Sequence, residues 1–306
     1  MHRPVGPGED RQPGGARQRR APRPVRRALA ADVLAHRRHG RPRTPRTQGS
    51  GTLITVGRSD LPAEVADLTS RHVNYDERDA PPHVTAGWHR DRVTIELGYE
   101  APGEPEKGGL AETAGDLVNS YEFSDPRILR AAYKAPGDLV GRNMLLEGRF
   151  LFLRFLLGVR IVAAHDEVVD GPNGPERLIG WSYATLDGHL EQGKLRYEIA
   201  KELDTGRVEF RILAYSRWSP IRNRLVWAGF NAFGRRTQLT WYHHAMTRLQ
   251  RLLDDPPETP KPDDDGIVRA PSGAGPGRFE GFVVRFAHPG LDTRHPDREY
   301  RLKRSA

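Results

Sequence analysis

The sequence predicts an α+β domain over residues about 55–253, a curved antiparallel sheet wrapped on a long C-terminal helix. Three observations carry that prediction. Strand-like segments between Phe150 and Ile212 follow one another across short turns, so consecutive strands are neighbours in one antiparallel meander. An apolar stripe from Ile221 to Leu253 recurs at spacings of three, four and seven, which is one face of a helix. Composition changes at both ends of this stretch. Residues 1–54 are expected as a disordered Arg/Pro/Gly-rich extension, and 254–306 as a Pro/Asp/Gly-rich tail with one strand, Phe279 to Phe286.

In chain order, Leu61 to Leu68 reads as a short helix and Val93 to Leu97 alternates as a strand. Residues 101–110 are a Gly/Pro/Glu-rich loop. Ser124-Asp125-Pro126 pairs a capping side chain with a proline, and a helix is expected from there to about Tyr133. Phe150 to Leu157 and Val159 to Val169 read as strands pivoting near Gly158, with a turn at Asp170 to Gly174. Leu178 to Leu186 is an aromatic-rich strand. Leu195, Tyr197, Ile199 and Leu203 share one face of the next, and Val208, Phe210 and Ile212 one face of the last. Ser219-Pro220 then starts the long helix, with Ile221, Leu225, Ala228, Ala232, Leu239, Tyr242, Met246, Leu249 and Leu253 on its apolar face.

The 306 residues contain no cysteine, which excludes disulfides, thiolate nucleophiles and cysteine metal sites and fits a reducing cytoplasm. The net charge of +8 is concentrated at the start, where residues 1–50 hold 13 arginines against 3 acidic residues; the remainder, 35 basic against 37 acidic, is near neutral. Nucleic-acid binding therefore rests on that segment alone and is disfavoured. The most apolar run, Met144 to Ala164, carries Glu147, Arg149, Arg154 and Arg160, too many charges for a simple membrane span.

The order helix, long meander, very long final helix resembles the helix-grip class of START-like and birch-pollen-allergen-like ligand binders. More specific segments are Tyr121-Glu122-Phe123-Ser124-Asp125-Pro126, Gly141-Arg142-Asn143-Met144-Leu145-Leu146-Glu147, Gly180-Trp181-Ser182-Tyr183 through Gly193, Asp204-Thr205-Gly206 through Ile212, and Gly229-Phe230-Asn231-Ala232-Phe233-Gly234-Arg235-Arg236. Together, over about residues 70–253, they resemble uncharacterised protein family 0548, a domain-of-unknown-function family with a START-like fold. The resemblance implies a fold and a cavity between sheet and helix, not a reaction.

Such a cavity would be lined by Trp181, Tyr183, Tyr197, Phe210, Tyr215, Trp227, Phe230 and Trp241, unless those rings simply pack the core. Asp187 to Lys194 is the most chemically loaded loop. His189 beside Glu191 is a candidate base with an orienting carboxylate, with Tyr183 a further proton-handling group; the alternative is a polar hairpin connection. Arg211 either pairs with Glu198 and Glu209 across the ladder, the favoured reading, or orients a ligand carboxylate. Gly141-Arg142 either turns the chain and caps carbonyls or binds an anion. Arg235-Arg236 reads as a solvent-facing patch. Adjacent His243-His244 point about 100° apart on a helix and cannot chelate together. No His-Glu-x-x-His, Gly-x-Ser-x-Gly, Walker-type or dinucleotide glycine pattern occurs, so no metal and no cofactor is expected. The leading expectation is a cytoplasmic module binding a small apolar or amphipathic molecule. The alternatives are an enzyme acting in the same pocket and a nucleic-acid binder acting through residues 1–50.

Overall fold

A computed structural model describes residues 53–57, 60–135, 137–150, 153–219, 224–273 and 283–287; at 53–57, 150, 153, 224–233 and 283–287 only the backbone is described. Of the extension expected to be disordered over 1–54, residues 1–52 lie outside the described residues and Leu53 and Ile54 lie in a strand; the tail beyond Ala287 also lies outside them.

The described strands form one sheet in the order β2 (His89–Tyr99), β8 (Arg207–Trp218), β7 (Glu191–Glu202), β6 (Gly174–Thr185), β5 (Leu153–Gly171), β4 (Asn143–Phe150), β3 (Leu129–Lys134), β9 (Ile267–Ala270). β1 (Leu53–Gly57) pairs with β10 (Val283–Ala287), which meets β5 in parallel at Phe155. The curved sheet grips α3 (Arg224–Asp254), a helix about 46 Å long at 1.5 Å per residue. Bulges at Glu96/Gly98 and Ile161/Ala163 interrupt the registers of β2 and β5, the usual means of bending a strand. No helix among the described residues is long and apolar enough to cross a membrane.

Several elements differ from the sequence reading. The loop expected over 101–110 leads into an unforeseen helix, α2 (Leu110–Asn119), which buries Ala111, Ala114, Leu117 and Val118 against the concave face. The helix expected from Ser124 is a single turn. Asp125 does accept a hydrogen bond from the Arg127 backbone amide, but residues from Leu129 pair with both β4 and β9, and that ladder overrides the cap signal. Gly158 is no pivot, because β5 runs straight through it; a Cβ there would sit 2.6 Å from Leu68 Cδ2, so the glycine admits a packed neighbour. The expected linker after Asp254 contains β9, whose Ile267, Val268 and Ala270 are buried. On α3 the buried face is Trp241, Tyr242, Ala245, Met246 and Leu249, while Leu239 is 47% exposed.

Candidate functional site

The concave side is closed at one end by an aromatic core. The segment Tyr121–Asp125 is its hub, and all five residues are buried. After α2, the Glu122 amide bonds Leu117 O and the Tyr121 amide bonds Val118 O, a paired C-terminal cap. Its left-handed position is Tyr121 at φ 65°, where glycine is usual. That strained backbone aims the ring at Phe123, Trp181 and Tyr197, with centroids 5.0, 6.1 and 6.4 Å away. Ser124 Oγ accepts from Trp241 Nε1 (3.1 Å), and Asp125 bonds His244 Nδ1 (2.8 Å), tying α3 to this hub.

Toward the other end the concave face becomes polar. Asp91, Ala214, Leu195 and Tyr183 lie in one cross-strand row. Asp91 is paired with Arg235 of α3, which also donates to Gln238; Tyr242 Oη donates to Asp91 at 3.3 Å. Tyr197 Oη donates to Tyr183 Oη only at 3.5 Å, and the enclosed hydroxyl of Tyr121 makes no close hydrogen bond, with Ser124 and Tyr197 its polar neighbours. Burial raises all three phenols above their ordinary range.

Glu191 sits on the same concave face at the start of β7, opposite Trp218. Burial pushes its carboxyl up to about 7, with Arg235 opposing and Asp91 adding to the shift. Yet the residue keeps accessible surface, and its carboxylate oxygens are not among the fully enclosed unbonded atoms. No hydrogen bond or ion pair to that carboxylate is made by a described residue. The sign of its effect on stability follows from the raised value. Between the ordinary carboxyl value of 4.5 and about 7 the folded state holds the extra proton, so this group makes stability fall as pH rises through that window. Glu191→Gln should match wild type near pH 4 and exceed it at pH 8 by on the order of 1–2 kcal/mol in urea unfolding; equal offsets at both pH values would contradict the placement.

The remainder of the loaded hairpin is locked in place. His189 Nδ1 accepts from the Glu191 backbone amide at 2.9 Å, and burial lowers its pKa to about 4. The expected His189–Glu191 side-chain pair is therefore absent: the ring bonds backbone, not carboxylate. Asp187 receives the His72 amide, and Asn74 Nδ2 donates to Glu191 O while Gln192 donates to Asn74 O. Lys194 lies on the convex face and reaches Glu77.

The structure brings some of the predicted residues together and separates others. Trp181, Tyr197, Phe210 and Trp241 join in the closed aromatic core, and Tyr183 borders the polar end. Arg211 and Tyr215 are odd-numbered on a strand whose inward residues are even, so they occupy the convex face. Arg211 is enclosed there by Glu176 (2.6 and 2.9 Å), Glu209 (2.9 Å) and Glu198 (3.8 Å), and Tyr215 packs on Trp88 and Tyr75. Trp227 and Phe230 fall on the first turns of α3, and their side chains lie outside the described residues. Gly141 takes φ +87° and bonds Ile161 O, while Arg142 donates to Gly137 O and lies over Tyr133; both line a separate surface recess of about 560 Å³ beside α1 (Leu61–Asp67). Sequence reasoning missed Tyr121, Asp91 and the inward role of Arg235, which is no free surface charge. Asp91 was detectable as the one acid among His89, Val93, Ile95 and Leu97, its neighbours of equal parity.

Sheet, gripping helix and concave interior define a helix-grip fold. The chain belongs to the family described as a domain of unknown function (DUF1990), whose model matches residues 69–249. The label 0548 expected from the motifs is not confirmed by that match. Similar solved structures include Ara h 8.0201 (9% identity, TM-score 0.34, covering 55% of this chain and 98% of that one) and a norcoclaurine synthase point mutant of Thalictrum flavumn with a transition-state analogue (11%, 0.34, 56% and 98%). A hypothetical protein of Helicobacter pylori is also similar (11%, 0.32, 57% and 95%). At these TM-scores the likenesses carry no argument about ligand or reaction. No curated protein matches the sequence.

Proposed function

We propose that this protein is a cytoplasmic small-molecule binding module, holding an apolar or amphipathic ligand between α3 and the Tyr183–Leu195–Ala214 row. The observation that supports it most is the set of underused polar groups on the concave face. An enclosed hydroxyl without a partner costs about 1–3 kcal/mol, and here the Tyr121 hydroxyl makes no close bond, Tyr183 and Tyr197 share one long bond, and the Glu191 carboxylate is unpaired. A ligand with an apolar body and a polar end would satisfy them. A cysteine-free chain is compatible with the cytoplasmic part of the reading.

Titration with the neutral fluorescent probe N-phenyl-1-naphthylamine tests it. Saturable enhancement is expected. Ala214→Trp, which fills the row, should abolish it, and Tyr215→Phe on the convex face should leave it intact. Tyr121→Phe should stabilise the empty protein slightly, having removed an unbonded hydroxyl. Absence of saturable binding, or full binding by a folded Ala214→Trp, would count against the site.

An enzymatic reading keeps one support: a Glu191 carboxyl near 7 is suited to proton transfer, with Tyr183 in its electrostatic reach. His189 does not contribute a free base. Turnover of a bound molecule, lost in Glu191→Gln, would promote this reading.

A further inference from the structure

The sheet ends on one side at β2, which pairs with β8 and, among the described residues, with no other strand. The ladder fixes which of its backbone groups face outward. Ser219 N donates to Leu190 O, so odd-numbered residues of β8 turn their amides and carbonyls toward β7 and even-numbered ones toward β2. Ile212 opposes Val93 and Phe210 opposes Ile95. The odd residues of β2 therefore bond β8, and Arg90, Arg92, Thr94 and Glu96 present their N–H and C=O groups at the open edge. In keeping with this, Gln250 Nε2 of α3 reaches Glu96 O at 3.1 Å. All four side chains are exposed. Beside them Val93, Ile95 and Leu97 are only partly buried, and Leu239 stands exposed on α3 one turn from Arg235, the partner of Asp91. A long open edge is a template for another strand.

We infer that β2 is the seat of a homodimer, in which a second copy adds its own β2 antiparallel across this edge. Charge argues for that occupant. A two-fold axis through Val93 uses the whole stretch from His89 to Leu97, up to the bulge at Glu96/Gly98. It sets outward residues against outward residues: Arg90 opposes Glu96 and Arg92 opposes Thr94, each pair occurring twice. Among the described residues neither Arg90 nor Glu96 has an ion pair, and Glu96 receives only the Tyr99 hydroxyl at 3.3 Å. Opposite charges directly across a ladder stabilise it, and like charges destabilise it. An axis through Arg92 would set Arg92 against Arg92, and one through Thr94 would run Arg90 into the bulge. The register about Val93 is thus the self-complementary one.

Sedimentation velocity of the full chain tests this. A reversible dimer is expected at micromolar concentration. Arg90→Glu alone and Glu96→Arg alone should each weaken it at least about tenfold, because each turns two attractive pairs into two repulsive ones. An equimolar mixture of the two variants should recover a heterodimer of near wild-type affinity, since every opposed pair is again unlike. Both positions are exposed, so each variant should keep the wild-type fold by circular dichroism. A wild-type chain that stays monomeric at every concentration, as it would if another segment of the same chain covered the edge, overturns the inference. A dimer that either substitution leaves intact, or a mixture that fails to recover, overturns it as well. None of these outcomes bears on the concave ligand site.

Discussion

Trp181→Ala should destabilise the protein by about 3–5 kcal/mol, the range for removing a large aromatic side chain from a packed interior. Trp181 is 1% exposed, its Nε1 donates to Val118 O at 3.1 Å, and its ring lies 4.9 Å from that of Tyr197. The truncation would empty the centre of the aromatic core and remove a bond that ties β6 to α2. Trp181→Phe, which keeps most of the volume, should cost clearly less. Urea unfolding reads both, as a lower midpoint at unchanged slope. A loss below about 1 kcal/mol for Trp181→Ala would mean that this ring lines open space, not core.

Lys201→Met should cost a comparable amount, about 3–5 kcal/mol, because it strips the partner from a buried charge. Lys201 is fully buried; its Nζ donates to Glu100 Oε2 at 2.6 Å and to Glu104 O at 3.0 Å. Glu100 Oε1 in turn accepts from the Ala111 amide at 2.7 Å, so one carboxylate holds both β7 and the first turn of α2. Burial alone would raise the Glu100 pKa, but Lys201 and the Ala111 amide bring it below the ordinary value. A depressed carboxyl contributes stability that is present above the unfolded value and lost as pH falls. The Lys201→Met penalty should therefore be largest at neutral pH and shrink in acid. Adding Glu100→Gln to Lys201→Met should recover part of the loss, since it removes the stranded charge. Equal penalties at pH 4 and pH 7, or no recovery in the double variant, would contradict this account.

The meander and the final helix were legible because their signals are strictly periodic. Leu195, Tyr197 and Ile199 do share the concave face, and so do Val208, Phe210 and Ile212. The same period-two rule, applied consistently, excludes Arg211 and Tyr215 from that face; grouping them with Phe210 for their chemistry ignored their parity. α2 was readable in part, since Leu110, Ala111, Ala114, Leu117 and Val118 recur at helical spacing, but Gly115 and the preceding Gly/Pro/Glu run obscured it. That glycine is required by contact, as a Cβ would lie 2.8 Å from Ile179 Cγ2. Ser124-Asp125-Pro126 shows that capping residues mark the start of any turn, and that whether a helix follows is decided by tertiary pairing.

In the candidate site, sequence inspection singled out the Asp187–Lys194 hairpin for a His189–Glu191 side-chain pair, which the structure does not form. His189 and Asp187 are spent on backbone bonds, and Glu191 alone faces the interior with its bonding capacity unused. Tyr121 was invisible as a site residue, since nothing local announces that a tyrosine will occupy a left-handed position.

The central claim is that the concave face near Glu191 retains a recess beneath α3. A crystal structure of the protein with N-phenyl-1-naphthylamine measures this most directly. The account predicts ordered probe between α3 and the concave face, touching Tyr183, Leu195 and Ala214. Protein side chains filling that space, with the probe elsewhere or absent, would contradict it.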